Sequence, residues 1–203
     1  WTDGVNSYGS EDLTGISAGA YDVTISDANS CSFNTTITLI DPPLLEVTLS
    51  SKQDEQCVGS NDGTIDIDVV GGTGNYSYTW DNGAPNIQDP SGLAPGSYNV
   101  TVEDENACFA NMNVVIDAAT ALSVSVDSKQ NVTCEGLANG EINITVNGGE
   151  SPYFYNWNGG TYTSQDITNL VAGTYDLTVT DANDCTTVLN ESIAEPADLA
   201  INL

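Results

Sequence analysis

Short runs of alternating apolar and polar residues dominate the chain and predict β-strands. In one well-defined stretch the apolar residues of successive runs are Leu45, Val47 and Leu49; Ile65, Ile67 and Val69; Tyr76, Tyr78 and Trp80; Tyr98, Val100 and Val102; and Met112, Val114 and Ile116. A period of two places alternate side chains on one face of a strand, and no stretch follows the period of an amphipathic helix. Many short strands separated by turn residues are typical of an all-β sandwich.

The strand pattern repeats with a period of 77 residues. The segments GAYDVTISDANSC from Gly19, GSYNVTVEDENAC from Gly96 and GTYDLTVTDANDC from Gly173 align without a gap. We therefore expect four parts: the C-terminal part of a truncated repeat at 1–43, complete β-sandwich repeats at 44–120 and 121–197, and the first strand of a further repeat at 198–203. The linkers are short and partly stiffened by proline, which favours an extended row of domains.

A second recurring motif points to an immunoglobulin-like sandwich. Leucine or isoleucine, then glycine three residues on, precedes Tyr21, Tyr98 and Tyr175. This motif resembles a tyrosine corner, in which the hydroxyl bonds upstream backbone while a tryptophan fills the core. Trp80 and Trp157 are expected to be those core residues. The predicted fold is all-β: tandem immunoglobulin-like β-sandwich repeats with a 77-residue period, arranged as an extended row.

The five cysteines recur with the same period. Because a 77-residue sandwich has a small core, a covalent brace would add much of its stability. We favour pairs within repeats, Cys57–Cys108 and Cys134–Cys185, each 51 residues apart. The chain-entropy value for such a loop is about 4 kcal/mol. Pairs across the junctions, Cys31–Cys57 and Cys108–Cys134, also fit the spacing, which does not decide between them. Either arrangement indicates an oxidising, extracellular location.

Each complete repeat has the same motifs in the same order: a cysteine, Gly-x-x-x-Gly, Gly-Gly, Tyr-x-Tyr-x-Trp, Leu-x-x-Gly-x-Tyr and Thr-Val-x-Asp-x-Asn-x-Cys. This order resembles the SprB repeat of large surface adhesins in gliding and related Bacteroidetes. The resemblance implies a secreted cell-surface protein, exported by the type IX route, whose many repeats form a filament used in adhesion or gliding. It implies no catalytic residue. Asn75 departs from the usual pattern, which Pro152 follows in the next repeat.

The charge balance excludes several classes of function. The chain has 29 acidic residues, two lysines and no histidine, for a net charge of -27. Nucleic acid needs a basic surface, and a membrane span needs roughly 20 apolar residues, so we expect neither partner. The absence of histidine argues against Ser-His and Cys-His nucleophiles and against the usual zinc sites. An acidic pair could cleave glycosides, but nearly every notable residue recurs at the period, so we expect no enzyme.

Calcium is the one cofactor that the acidic loops suggest. Each loop before a second cysteine carries candidate oxygen ligands: Asp27 and Asn29; Asp104 and Asn106; Asp181, Asn183 and Asp184. The same residue types close tight turns by bonding local backbone, and we favour that interpretation. No segment has the spacing of an EF-hand loop. The prediction is therefore no cofactor, with calcium as the alternative.

The predicted function is a structural stalk or filament, with a carbohydrate- or surface-binding adhesin module as the alternative. Its expected partners are neighbouring repeats, other chains by lateral association into a fibre, and surface glycans. A sugar platform could use Tyr76, Tyr78, Tyr153 and Tyr155, although alternation favours the core for them, and residues 84–88 and 161–165 are further ligand candidates. Lys52 and Lys129 should meet carboxylates; a second hypothesis is that they contact the preceding repeat.

Overall fold

A computed structural model describes residues 1–197, and every regular element among them is a β-strand. The predicted strand containing Leu199, Ile201 and Leu203 lies outside the described residues. In chain order the strands are β1 (Gly19–Ser26), β2 (Ser32–Leu39), β3 (Glu46–Gln53), β4 (Gly63–Val70), β5 (Ser77–Trp80), β6 (Ser91–Leu93), β7 (Gly96–Glu103), β8 (Phe109–Ile116), β9 (Ser123–Gln130), β10 (Gly140–Asn147), β11 (Phe154–Trp157), β12 (Ile167–Leu170), β13 (Gly173–Thr180) and β14 (Thr186–Ile193). Within the described residues no helix is long and apolar enough to cross a membrane.

The sheet topology is the same in both complete periods. One pair of three-stranded sheets has the orders β3-β4-β6 and β5-β7-β8, and the next pair has the orders β9-β10-β12 and β11-β13-β14. Before them, β1 and β2 form an antiparallel hairpin that pairs Gly19 with Leu39 and Ser26 with Ser32. The all-β, immunoglobulin-like prediction is confirmed.

By spatial contacts the described chain divides into two compact units. The first comprises Trp1–Val47, Val69–Ser77 and Val102–Ala110. The second comprises Thr48–Asp68, Tyr78–Thr101 and the residues from Asn111 onwards. This division does not follow the sequence period, and the predicted repeat boundaries stay predictions.

A single core joins the two sheets of the period 121–197. It contains the buried residues Val132, Ile142, Ile144, Trp157, Ile167, Leu170, Tyr175, Leu177, Val179 and Ile193. Apart from Val132, which precedes β10, these residues come from strands of both sheets, so the arrangement is a sandwich in the strict sense. Trp157 has no exposed surface, and its indole N–H donates to the Ser164 carbonyl at 3.1 Å. The apolar ring is thus buried while its polar atom keeps a partner.

The tyrosine of the recurring motif makes the same bond three times. The hydroxyls of Tyr21, Tyr98 and Tyr175 donate to the carbonyl four residues upstream, at 2.8, 2.7 and 2.9 Å. All three rings are buried. The motif therefore fixes the turn before β1, β7 and β13 by one buried ring and one hydrogen bond.

Two short strands were not expected from the sequence. β6 pairs with β4, and β12 pairs with β10, each with a register shift at the first pair. Their residues do not alternate over a long enough run to predict a strand. Leu93 and Leu170 are nevertheless buried, because these short strands complete one sheet of each sandwich.

The linker before β9 lies against a pair of glycines. Gly149 N–H donates to the Thr120 carbonyl at 3.2 Å. Gly148 has a φ of +69°, and a Cβ there would lie 2.0 Å from the Ala121 carbonyl oxygen. Only glycine allows this close approach in a left-handed backbone.

We expect Gly148→Ala to destabilise the chain more than Gly159→Ala. Gly159 is the matched control, since its φ is +68° but a Cβ there would meet nothing within 4 Å. Both variants carry left-handed strain of roughly 1–2 kcal/mol, and the clash with the linker adds about 1–3 kcal/mol for Gly148. Calorimetry of the full chain measures the difference. Equal decreases in melting temperature would show that the linker does not rest on this turn.

Candidate functional site: the junction between repeats

Each cysteine lies in one of two kinds of loop. The first-cysteine loops, residues 54–62 and 131–139, connect β3 to β4 and β9 to β10. The second-cysteine loops, Asp27–Cys31, Asp104–Cys108 and Asp181–Cys185, are the hairpin connections after β1, β7 and β13. The site is built from these loops and from the linkers between repeats.

An aspartate closes each second-cysteine loop. In the loop after β13, Asp181 Oδ1 accepts from the N–H groups of Asn183 and Cys185, both at 2.9 Å. Its Oδ2 accepts from Glu150 N–H at 2.9 Å, in the turn between β10 and β11. The backbone N–H of Asp181 in turn donates to the Cys185 carbonyl at 3.0 Å. The carboxylate therefore fixes the cysteine relative to two turns of its own sandwich.

Asp181 is nearly fully buried, with 1% of its surface exposed. Burial tends to raise the pKa of this carboxyl, but the three backbone N–H donors outweigh it and hold the pKa below its ordinary value. The carboxyl of Asp104 has the same pattern of donors, and its pKa is lowered for the same reasons. The ionised form is thus the one that the loop stabilises.

A glutamate organises the first-cysteine loop of the earlier repeat. Glu55 is 7% exposed, and its Oε1 accepts from the N–H groups of Gly59 at 2.9 Å and Asn61 at 3.4 Å. Its Oε2 accepts from Ala119 N–H at 3.4 Å, which ties the loop to the linker. Val132 occupies the corresponding place one period later and is a core residue.

A disulfide joins Cys57 of one repeat to Cys185 of the next. Their Cα atoms are 5.5 Å apart, and 128 residues separate them along the chain. The bond belongs to neither arrangement that the spacing suggested, so both predicted sets of pairs are corrected. The three remaining cysteines are exposed thiols, and all of them lie within the described residues: Cys31, Cys108 and Cys134.

Strand length explains why Cys134 and Cys185 do not pair within their repeat. Cys134 precedes β10, which begins at Gly140, whereas the loop of Cys185 is bonded to Glu150, just beyond the other end of β10. An eight-residue strand spans roughly 26 Å. A disulfide needs Cα atoms within about 7 Å. The two cysteines of this repeat therefore lie at opposite ends of the sandwich.

A shallow groove lies beside the disulfide. It has a volume of about 350 Å³ and is lined by Cys57, Val58, Thr120, Ala121, Leu122, Asp184, Cys185 and Thr186. The lining comes from the first-cysteine loop, the linker and the second-cysteine loop. The junction is thus built from residues of three segments.

Both lysines form ion pairs with carboxylates. Lys52 Nζ lies 2.8 Å from Asp54 and 3.2 Å from Asp117, and Lys129 Nζ lies 2.8 Å from Glu191. The second hypothesis, contact with the preceding repeat, is wrong for these pairs, because every partner belongs to the lysine's own period. The Lys129–Glu191 pair joins β9 to β14, and the Lys52–Asp117 pair joins β3 to the residue after β8. The Lys52–Asp54 pair is local to the end of β3.

The calcium candidates are engaged in loop bonds. Asp27 Oδ1 accepts from the N–H groups of Asn29 and Cys31 at 2.9 and 2.8 Å, as Asp181 does in its loop. Asp104 repeats the pattern with Asn106 and Cys108, each at 2.9 Å. Within residues 1–197 no three histidine, cysteine, aspartate or glutamate side chains are grouped as a metal site. The prediction of no cofactor, with calcium as the alternative, stays a prediction.

The tyrosines of the candidate sugar platform contact the sandwich to which they belong. Tyr153 and Tyr155 are half-buried and pack against the core. Tyr155 Oη lies 3.1 Å from Gln165 Oε1, and Gln165 Nε2 donates to the Ile144 carbonyl at 2.6 Å. Tyr78 and Gln88 make the corresponding contact at 3.1 Å. The candidate loops 84–88 and 161–165 are therefore tied to the sandwich by their glutamines.

Two comparisons with known proteins bear on these repeats. The SprB repeat family model matches residues 49–85 and 126–162, which lie one period apart. The predicted resemblance to this family is confirmed at both positions. No curated protein matches the chain significantly.

Three of the similar solved structures contain several domains each. The three N-terminal domains of the bacteriophage RB49 outer capsid protein Hoc have 22% identity and a TM-score of 0.48, with 73% of this chain and 59% of that chain covered. The eight N-terminal immunoglobulin domains of DSCAM have 9% identity and a TM-score of 0.43, with 88% and 28% covered. Domains 1–6 of the surface layer protein SbsC have 12% identity and a TM-score of 0.38, with 93% and 37% covered. The chain spans less than two thirds of each of these structures.

We expect Asp181→Asn to destabilise the chain at neutral pH by about 1.5–3 kcal/mol, since the amide replaces one acceptor of a charge-assisted bond with a donor. Asp184→Asn is the control, because Asp184 is exposed and its φ of +63° suits asparagine. Thermal unfolding measures both.

The effect of Asp181→Asn should depend on pH. A lowered folded pKa means that the stabilisation is complete above the unfolded pKa of about 3.9 and is lost as the pH falls through the folded value. The difference in melting temperature between the parent chain and the variant should therefore shrink below about pH 4. A difference that stays constant from pH 7 to pH 2 would mean that the carboxylate charge does not hold the loop.

Proposed function

Because this chain carries SprB repeats at two positions one period apart, we propose that it is a load-bearing spacer in a bacterial cell-surface protein that serves adhesion or gliding. The family resemblance supports the surface location and the adhesive role. The disulfide supports a location outside the reducing cytoplasm. In this role the repeats hold a distal part of the protein away from the cell and transmit force to it.

The observation that carries the proposal is the bond between Cys57 and Cys185. A bond inside a repeat would stabilise that repeat alone, whereas this bond connects successive repeats in parallel with the linker. Tension on the chain therefore passes across the junction by two covalent routes. A spacer gains from such a connection, because the linker alone does not have to resist extension.

The remaining chemistry of the junction suits a mechanical role. Asp181 anchors the loop of Cys185 to two turns, and Glu55 anchors the neighbouring loop to the linker. Force that reaches either cysteine is thus passed to the body of a sandwich. The high negative charge, -27, keeps the surface hydrated and opposes aggregation.

Stretching the chain by its two ends tests the load-bearing role. In the oxidised chain the covalent path passes from Cys57 directly to Cys185, so unfolding should release less length than in the reduced chain. With 128 residues bypassed, the deficit should be about 420–460 Å. Single-molecule force spectroscopy, with the free thiols alkylated beforehand, measures this length.

The Cys57→Ser variant is the control for that measurement. Its oxidised form should release the same length as the reduced parent chain, because the bypass is gone. If the oxidised parent and the variant release equal lengths, the junction bond carries no load and the proposed role fails.

A binding assay separates the spacer from an adhesin module. We expect the full chain to show no saturable binding on a glycan array, since its tyrosine faces pack against the sandwich. Saturable binding that is lost when residues 84–88 or 161–165 are exchanged would favour the module instead.

A further inference from the structure

The bonded cysteines define a rule that extends beyond the observed pair. Cys57 is the first cysteine of its repeat, and Cys185 is the second cysteine of the next one. We propose that the repeats form a disulfide ladder, in which the first cysteine of each repeat bonds to the second cysteine of the repeat that follows. Cys134 would then bond forward to a repeat after 121–197, and Cys108 and Cys31 would bond backward to repeats before their own.

The free second cysteines are presented like the bonded one. Cys31 and Cys108 N–H groups donate to the aspartate of their own loop at 2.8 and 2.9 Å, as in the loop of Cys185. The residue before the cysteine is left-handed in all three loops: Ser30, Ala107 and Asp184 have φ values of 65°, 61° and 63°. The backbone therefore displays all three sulfur atoms in the same local geometry.

The free first cysteine also matches its bonded counterpart. The Cys134 carbonyl accepts from Leu137 N–H at 3.2 Å, as the Cys57 carbonyl accepts from the residue three positions on at 2.9 Å. Next to this loop, Ala194 N–H donates to the Asn131 side chain at 2.9 Å. One period earlier, Asp117 N–H donates to the Asp54 carboxylate at 2.8 Å. The loop of Cys134 thus shares these two bonds with the loop of Cys57, although Val132 stands where Glu55 makes its bonds.

The first and the second cysteine of one repeat cannot form a disulfide with each other. Cys134 and Cys185 lie at opposite ends of β10, and the same strand length separates the two kinds of loop in any repeat with this topology. Cys31, Cys108 and Cys134, which have no partner among the described residues, are exposed thiols. A thiol that is exposed, held in place and unable to bond within its own repeat is suited to a bond with an adjacent repeat.

Each rung is an oxidation of two thiols. The sulfur–sulfur bond forms as two S–H bonds are lost, and the two electrons and two protons pass to an oxidant. The oxidant that we invoke is a small-molecule disulfide. One cysteine thiolate attacks it and releases a first thiol, and the second cysteine thiolate then attacks the mixed disulfide and releases a second thiol. Glutathione disulfide serves this purpose in the experiment below.

The ladder would make the row of repeats almost inextensible. The second cysteine of one repeat and the first cysteine of the next are 26 residues apart, as for Cys108 and Cys134. The shortest covalent path along the ladder, which we call a rail, alternates disulfides with 26-residue stretches of backbone. A rail contains 26 residues for every two repeats, whereas two repeats contain 154 residues of chain. Full extension of a rail spans about 86–94 Å, whereas 154 unbraced residues span about 510–550 Å. This consequence rests on the proposed spacer function, but the connectivity does not.

A tandem chain tests the connectivity. It consists of the full chain with a second copy of residues 121–197 inserted after residue 197, refolded with reduced and oxidised glutathione. We expect two disulfides in the monomeric fraction: Cys57–Cys185, and Cys134 bonded to the inserted copy's counterpart of Cys185. Non-reducing peptide mapping by tandem mass spectrometry identifies them, with a glutamate-specific protease because the chain has only two lysines and no arginine. Val188→Ile in the inserted copy, at an exposed position, gives the peptide with the counterpart of Cys185 a distinct mass, and fragmentation distinguishes Cys108 from Cys134 within their shared peptide.

The tandem chain with Cys134→Ser is the matched control. It should keep Cys57–Cys185 and leave the inserted counterpart of Cys185 as a thiol. A bond from Cys134 to Cys185 or Cys108, or a free Cys134 thiol in a folded tandem chain, would overturn the ladder. A bond from Cys134 to Cys108, or a free Cys134 thiol, leaves the force measurement on Cys57–Cys185 unaffected, so the two proposals fail separately. A bond from Cys134 to Cys185 would contradict both proposals, because Cys185 could then not bond to Cys57.

Alkylation of the original chain gives a second test that needs no insertion. Native, oxidised chain should incorporate label at Cys31, Cys108 and Cys134 without reduction, because their partners would lie in other repeats. Protection of Cys108 and Cys134 together would indicate that they bond to each other and would contradict the ladder.

Discussion

The two cysteines of a repeat are kept apart by the length of a strand, and this separation determines which disulfides the chain can form. β10 places the first-cysteine loop at one end of the sandwich and the second-cysteine loop at the other. A sulfur at either end can reach only what lies beyond that end. The covalent brace therefore connects repeats to one another, and each sandwich depends on its own core and turns for stability.

Because each sandwich depends on its own core and turns, hydrogen bonds and close backbone contacts hold the turns at its ends. Asp181 gives up its hydration to accept three backbone hydrogen bonds, and a buried carboxylate is tolerated only when it is satisfied in this way. Gly148 allows the linker to approach the backbone of the adjacent turn. Glu55 makes the corresponding connection on the other side of the junction. Hydrogen bonds and close backbone contacts thus stabilise the ends of a sandwich, as apolar packing stabilises its core.

The periodic sequence was sufficient to predict the strands, the recurring tyrosine motif and the loops that carry the cysteines, because each depends on residues close together in the chain. It was not sufficient for the disulfide, since spacing reports contour length and not the direction in which a strand carries a side chain. A signal was present: Cys57 and Cys134 precede a run that predicts a strand, and Cys108 and Cys185 follow one. Glu55 had no signal, because its counterpart is Val132 and only the folded junction distinguishes them. The short strands β6 and β12 were missed because their few residues do not establish a period.

The 128-residue interval between the bonded cysteines also sets an order of events during biosynthesis. Cys57 gains its partner only after the following sandwich, with Cys185, has reached the oxidising compartment and folded. The earlier sandwich does not need that bond to fold, and its own second cysteine is out of reach. For a chain that enters this compartment from its N-terminus, each junction would therefore close only when the next repeat arrives, so maturation of the region would be vectorial.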